Sequence, residues 1–333
     1  MENRVVVDDS GRAFNKNYSR EIGSKNFQNV IAENDGTFKL TVKTNPTDLW
    51  VEYLNKDYLI GDFAIRQKKD LLVQDRSPNK TNRQNLLEIV VAVSLHVRKQ
   101  GENIHLITNC PPRDWDKQRD LIAKSLIGPQ EVIHKAGDLK GKKVEFFITQ
   151  CNVIPEAEAA YYGYCYDLNL NLVHSEVWKS RTLIIDIGDQ TCNYVSMNPE
   201  GDVYDSGSDS LEKGMFIVYA ELQKWLMQKG VEKNQAEIIK HIIYGEPIMD
   251  GGQRVFYEPE LNRCYAILEQ YLYSQLNALL KMNNYQNLLL CGGSAKPMYQ
   301  LFKNRYPKLN VICSDAAQML NCYGAYILYR LSQ

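Results

Sequence analysis

Apolar residues along this chain follow two rhythms. Short β-branched or leucine-rich runs stop at acidic or glycine-containing turns, and longer stretches repeat their apolar positions at helical spacing. The first run, RVVVD at 4–8, is halted by Asp9-Ser10-Gly11, the pattern of a buried strand entering a tight turn. Strand-like runs recur within 38–66, including YLIGDFAI around Gly61, then at Ile104 to Thr108 and at Lys142 to Ile148. Helical spacing marks Thr81 to Lys99, with Thr81 as its cap and Leu86, Leu87, Val90, Val91, Val93 and Leu95 on its apolar face. A second amphipathic stretch, Asp114 to Leu126, follows the stop at Pro111-Pro112. Pro155-Glu156-Ala157-Glu158 predicts a helix start, with proline at the first position and acids at the positive end of the dipole.

Residues 168–181 are irregular and predict a crossing between two halves. Leu183-Ile184-Ile185-Asp186-Ile187-Gly188 then starts afresh, a strand running into an acidic, glycine-containing turn that echoes VVVDDSG. Strands are predicted at 191–197 and 202–206, and helices at about 210–228, 233–242 and 259–281. Leu288 to Cys291 is a buried strand that stops at Gly292-Gly293. A helix, a strand at Val311 to Cys313 and a last helix from about Ala316 follow. Mixed strands and helices with one opening motif used twice predict two related α/β lobes. No short tandem repeat is visible.

Length agrees, since 333 residues suit two lobes of ~150 each. The net charge of −1, from 39 basic and 40 acidic residues, lacks the basic excess that general nucleic-acid binding requires. Eight cysteines include no C-x-x-C pair and several sit in apolar runs. They read as buried thiols of a reducing cytoplasm rather than a disulfide frame or zinc site. Five scattered histidines show no H-x-x-x-H spacing. The N-terminus has no apolar signal stretch, and no run approaches the ~20 apolar residues of a membrane span, so a soluble cytoplasmic protein is expected.

The candidate chemistry lies at three junctions: Asp9-Ser10-Gly11, Asp186-Ile187-Gly188 and Cys291-Gly292-Gly293-Ser294. A triphosphate needs backbone N–H groups and a cation close to its oxygens, and glycine lets the backbone approach without a side chain in the way. An Asp at a strand end can hold a hydrated Mg²⁺, which keeps several waters and takes few carboxylates. Each junction also has a plainer reading. Asp9 can cap its turn, Lys16 can be a solvated charge, Glu156 can serve only the helix dipole, and Gly292-Gly293 can open a helix. Asp186 is the sharpest case, because an unpaired carboxylate at the end of a buried strand is costly. Gly137 to Lys143 is no P-loop: the glycines are one residue too close and no Ser or Thr follows the Gly-Lys. The tyrosines of 161–166 and 323–329 lie at helical spacing and read as packing; Arg66-Gln67-Lys68-Lys69 reads as a solvated edge.

Taken in order, these segments resemble the superfamily of actin, the heat-shock chaperone ATPases and the sugar kinases. Within it the chain is similar to the bacterial actin-like plasmid-segregation proteins of the ParM type. VVVDDSGRAFNK resembles the family's first phosphate loop and places Asp9, Gly11 and Lys16. LIIDIGDQTCNYV resembles the second and places Asp186, Gly188, Gln190 and Thr191. VIPEAEAAYYGY is similar to the connecting segment whose Glu, here Glu156, helps position the attacking water. LLLCGGSAKPM resembles the adenosine motif, with Gly292, Gly293 and Ser294; SLEKGMFIVYAEL carries the family glycine at Gly214. AQMLNCYGAYIL resembles the C-terminal helix.

The resemblance implies an actin-like α/β fold, lobes at 1–168 and 169–333 with a nucleotide cleft between them, and a final helix that packs back on the first lobe. It implies ATP or GTP with Mg²⁺, Glu156 and Asp186 as the catalytic pair, and Asp9 and Asp186 holding the metal through water. It further implies nucleoside triphosphate hydrolysis coupled to filament formation. Its partners would be other copies of the chain and a DNA-binding adaptor at a centromere-like plasmid site, with no direct nucleic-acid or membrane contact. The chain departs from the pattern where Asp189 and Gln190 follow Gly188 and where Asn193 replaces the usual acid. Those departures keep a non-hydrolysing actin-like scaffold as an alternative. A small-molecule kinase is the other, although no sugar-kinase signature lies between the loops.

Overall fold

The computed structural model describes residues 3–34, 44–67, 80–204 and 207–333. The chain divides into two compact units, Met1–Pro155 and Glu156–Gln333.

The strands of the first unit are β1 Arg4–Ser10, β2 Phe14–Ser19, β3 Gly23–Ser24, β4 Phe27–Gln28 and β5 Ile31–Asn34, then β6 Leu49–Tyr53, β7 Lys56–Ile60, β8 Glu102–Cys110, β9 Gly128–His134 and β10 Lys143–Pro155. They form one sheet in the order β3-β2-β1-β8-β10-β9-β6-β7-β5, with β4 paired to β2. Its helices are α1 Asp62–Arg66, α2 Arg83–Ser94 and α3 Trp115–Leu126. The core gathers Val6 of β1, Ile104 and Leu106 of β8, Phe146 and Ile148 of β10 and Ile89 to Val93 of α2. The apolar face predicted for α2 is therefore a core face, but its cap is Asn82, whose side chain accepts from the Asn85 N–H at 2.8 Å. The run YLIGDFAI is two elements rather than one strand. Gly61 takes φ +67, which ends β7 and admits α1. Lys68 and Lys69 lie outside the described residues, as does part of the 38–66 stretch. Arg66 is ion-paired with Asp48.

The second unit holds β11 Thr182–Ile187, β12 Cys192–Met197, β13 Asp209–Leu211, β14 Ile248–Asp250, β15 Gln253–Val255, β16 Asn287–Cys291 and β17 Asn310–Cys313. Five of them form a sheet in the order β13-β12-β11-β16-β17, and β14 pairs with β15. Its helices are α4 Glu158–Cys165, α5 Ser175–Trp178, α6 Phe216–Gln228, α7 Gln235–Tyr244, α8 Glu258–Met282, α9 Ala295–Arg305 and α10 Leu320–Leu331. The helix read from sequence at about 210–228 begins only at Phe216, and its first residues belong to β13, Asp209–Leu211, a strand at the sheet edge. Of the strand expected at 202–206, residues 205–206 lie outside the described residues, and Val203 makes an isolated bridge to Met197.

The repeated opening motif occupies equivalent places in the two sheets. β1 lies antiparallel to β2 and parallel to β8; β11 lies antiparallel to β12 and parallel to β16. All six residues of β11 are buried, as a central strand covered on both faces demands. Helix α4 packs on α10 at a glycine crossing, where a Cβ on Gly163 or Gly324 would overlap backbone of the other helix. Tyr161 stacks on Trp178 at 5.4 Å between ring centroids, and Tyr162 and Tyr166 meet the same indole edge-on, so these tyrosines are packing residues. The eight cysteines are free thiols. Among the described residues no helix is long and apolar enough to cross a membrane.

Candidate functional site

In the first unit, β1 runs through the expected turn. Asp8, Asp9 and Ser10 stay in the ladder, opposite Asn17, Lys16 and Asn15 of β2. Directly opposed residues of antiparallel strands project on one face, so Asp9 meets Lys16. Lys16 Nζ lies 2.6 Å from Asp9 Oδ2, with both residues buried. Lys80 reaches the same strand end, donating to the Ser10 carbonyl at 3.1 Å and to Asn109 Oδ1 at 3.2 Å. Burial alone would push the Asp9 carboxyl up. Lys16 and Lys80 outweigh it, with hydrogen bonds from Lys16 and Asn109, and hold it below the usual carboxylate range. The turn closes with the Gly11 N–H donating to the Asp9 carbonyl at 3.0 Å. A Cβ on Gly11 would stand 3.0 Å from the Phe14 carbonyl oxygen and 3.2 Å from Lys16 Nζ, crowding the lysine.

Asp8 points the other way and starts a buried polar chain. Its Oδ1 accepts from Asn15 Nδ2, Asn15 Oδ1 accepts from Asn17 Nδ2, and His96 joins Asn17 to Ser19, every step between 2.7 and 2.9 Å. Burial raises the Asp8 carboxyl to about 7 despite the Asn15 hydrogen bond, with Asp9 adding to the rise. Burial, aided by Lys25 and Arg4, lowers His96 to about 3, so the imidazole is neutral.

In the second unit, the β11–β12 hairpin carries the second turn. The Gly188 N–H donates to the Thr191 carbonyl at 3.0 Å, while the Gly188 and Asp189 carbonyls accept from the N–H groups of Met215 and Phe216 at 3.0 and 2.8 Å. Gly214 makes that docking feasible, since a Cβ on it would stand 2.5 Å from the Gly188 carbonyl oxygen. Gln190 and Thr191 sit half-buried in the turn. Asp186 is buried, and its Oδ2 accepts from Asn321 Nδ2 of α10 at 2.8 Å. Gly292, at φ +86, follows β16 directly beside it; any Cβ would strike Asp186 Oδ1. Gly293 is exposed and Ser294 buried at the start of α9.

Glu156 is not in a helix. Pro155 is the last residue of β10, paired with Cys110, and Ala157 takes φ +69, so α4 opens only at Glu158. The left-handed residue breaks the predicted first turn and leaves Glu158, not Glu156, at the positive end of the dipole. Glu156 Oε2 instead accepts from Asn193 Nδ2 at 2.6 Å. Asn193 is the residue directly opposite Asp186 in the β11–β12 ladder. The two carboxylates of the expected catalytic pair are thus brought together around Asn193, the position that departs from the usual acid.

Magnesium and a triphosphate fit these residues. Among the described residues no three His, Cys, Asp or Glu side chains cluster as a metal cage, and Mg²⁺ needs none, taking one or two carboxylates with waters and phosphate oxygens. Gly292 leaves no room for a side chain beside Asp186, Gly188 and Gly214 leave none in the neighbouring turn, and Gly11 adjoins Lys16. Ser10 Oγ and Asn193 Oδ1 are buried at the two turns without a hydrogen bond, which a polar ligand would supply.

Lys80 and Asn109 at the first turn and Asn321 at the second were unforeseen from the sequence. Asn109 stands at the end of β8 just before Pro111-Pro112, and Asn321 interrupts the apolar run MLNCYGAYIL; both were visible as polar residues at buried positions. Lys80 follows residues 68–79, outside the described set, and no pattern marks it.

Residues 9–158 match the family profile "Actin like proteins N terminal domain", and residues 184–304 match "Archaeal actin homologue MreB-like, C-terminal". The chain belongs to the actin-like proteins. Solved structures agree on the fold. A non-polymerisable quadruple mutant of pCBH ParM is 17% identical, with a TM-score of 0.81 and 100% of each chain covered. A ParM filament from Clostridium botulinum is 16% identical, with a TM-score of 0.78 and 100% of each chain covered. The archaeal actin homologue Ta0583 is 14% identical, with a TM-score of 0.76 over 98% of this chain and 99% of its own. At these identities the likeness to ParM is one of fold. No curated protein matches the chain by sequence.

Proposed function

We propose that this actin-like protein binds a purine nucleoside triphosphate with magnesium, hydrolyses it and polymerises under its control. The observation that carries the reading is the convergence of Asp186 and Glu156 around Asn193, beside backbone that only glycine can occupy. Bound magnesium would supply the positive charge that offsets the phosphates. Asp9 and Asp186 would hold its waters. Gly11 and Gly188 would shape the two turns, whose own backbone bonds use their N–H groups, and the N–H groups of Gln190 and Thr191 would meet phosphate oxygens, with Lys16 adding charge. Gly214, Gly292, Gly293 and Ser294 would admit the nucleoside. Glu156, held by Asn193, would orient and deprotonate the attacking water.

Structures of related fold support the nucleotide and the filament. One is Bacillus thuringiensis ParM with AMPPNP, one is Ta0583 in complex with ADP, and one is a 15-stranded ParM filament. We extend the reading to plasmid segregation, with filaments of this chain engaging a DNA-binding adaptor at a centromere-like site. The net charge of −1 accords with DNA contact delegated to that adaptor.

Sedimentation of the purified chain with Mg·ATP and with Mg·GTP, read beside phosphate release, tests the proposal. Pelleting that depends on either nucleotide and reverses as phosphate is released is expected. Protein that stays monomeric at high concentration with both nucleotides would overturn it.

A further inference from the structure

We propose that Asn321 is a positioning residue for hydrolysis: it fixes Asp186 and the Glu156 segment in a single constellation through one amide. The inference rests on the nucleotide-hydrolysis reading above. The Asn321 side chain is 3% exposed and makes two bonds at once. Its Nδ2 donates to Asp186 Oδ2 at 2.8 Å, and its Oδ1 accepts from the Ala157 N–H at 3.1 Å. The carboxamide serves both partners at once, whereas a carboxylate could not donate to Asp186 and an ammonium could not accept from Ala157.

The second bond falls on the residue that needs it. Ala157 holds φ +69, a conformation an alanine keeps only where its surroundings impose it, and it sets the direction in which Glu156 leaves the backbone. Glu156 is then held at its far end by Asn193 at 2.6 Å, and Asn193 faces Asp186 across the ladder. The links close a ring: Asp186, Asn321, Ala157 with Glu156, Asn193, and back to Asp186. Helix α10 packs closely beside this ring. Gly324, three residues on and on the same side of the helix, lies against the Ala159 carbonyl so closely that no Cβ fits.

A plain structural role, satisfying a buried carboxylate, would affect stability and nucleotide binding together. A positioning role separates them. Asn321→Ala is expected to lower kcat about 10- to 100-fold, as loss of an outer-shell orienting group does. The nucleotide Kd should stay within about threefold, the signature of an interaction used in the transition state alone. In a Glu156→Gln background the same substitution should cost less than about twofold, because both changes act through one group. In the nucleotide-free protein, hydrogen exchange should show the Ala157 amide losing protection while α8 keeps its own. Asn321→Leu, which keeps the volume but can neither donate to Asp186 nor accept from Ala157, serves if the alanine variant does not fold, and the same fall in kcat is expected.

An unchanged kcat, or a full additional loss in the Glu156→Gln background, would overturn the proposal. Wild-type protein that hydrolyses no nucleotide would instead refute the hydrolytic reading. Ala157 exchange would then decide the amide clamp on its own, with unaltered protection in Asn321→Ala refuting it.

Discussion

At the end of β1 an ammonium holds the carboxylate of Asp9 at 2.6 Å, whereas at the end of β11 the carboxylate of Asp186 takes an amide hydrogen bond from Asn321 at 2.8 Å. The strands have equivalent neighbours and both acids are buried. The difference lies in what each partner does to charge. Lys16 neutralises Asp9, and a buried pair of that kind is costly to break from one side. Asn321 orients Asp186 through a neutral amide that brings no charge of its own. The first turn is thereby built for fixed charge balance, and the second for orientation. The supporting networks differ in the same sense: the first leans on titratable Asp8 and His96, the second on the amides of Asn193 and Asn321.

The comparison can be strained first at the crossing that carries Asn321. Gly324→Ala forces a Cβ into the Ala159 carbonyl, and urea denaturation should show a loss of about 4 kcal/mol or more. A loss below about 1 kcal/mol would mean that α10 can slip, and orientation at Asp186 would lose its anchor. Next come the acids themselves. Asp9→Asn leaves the Lys16 ammonium buried without its partner and should cost about 3 kcal/mol. Asp186→Asn should cost only about 1 kcal/mol, since the amide contact is weaker and partly replaceable. The reverse order of these two would break the contrast.

Acid should then sharpen it. Folded His96 titrates at about 3 rather than 6.5, so below 6.5 the unfolded chain takes a proton that the folded chain refuses. The contribution of His96 is therefore present above 6.5 and lost as pH falls toward 3. The stability advantage of wild type over His96→Gln should shrink by about 2 kcal/mol between pH 8 and pH 5, measured by denaturation at each pH. Asp8, raised to about 7, acts in the opposite direction and is common to both proteins, so the difference isolates the imidazole. The smallest effect is expected at Gly11→Ala, whose Cβ meets the Phe14 carbonyl oxygen at 3.0 Å. About 1 kcal/mol of stability should go, along with displacement of Lys16.

Hydrophobic pattern made the second turn legible and obscured the first. β11 and β16 are continuous apolar runs ending in an acid and in Gly-Gly, and they fold as such. β2, with the sequence FNKNYS, carries Asn15, Lys16 and Asn17 into the interior, where each is satisfied by a polar partner. No alternation announces such a strand, because its burial depends on side chains far along the chain, His96 among them. Glu156 was misplaced for a related reason. Pro155 ordinarily opens a helix, but here it closes a long strand, and Ala157, at φ +69, donates its N–H to Asn321, 164 residues away. One-residue slips such as Thr81 for Asn82 as the cap of α2 reflect adjacent residues with similar capping chemistry.

The most direct test of the account is equilibrium titration of the purified chain with Mg·ATP and Mg·GTP by calorimetry, run beside Asp186→Ala. Saturable binding of at least one nucleotide is predicted, weakened about tenfold or more in the variant while its fold is retained. A wild-type chain that binds neither nucleotide at about 1 mM would contradict it.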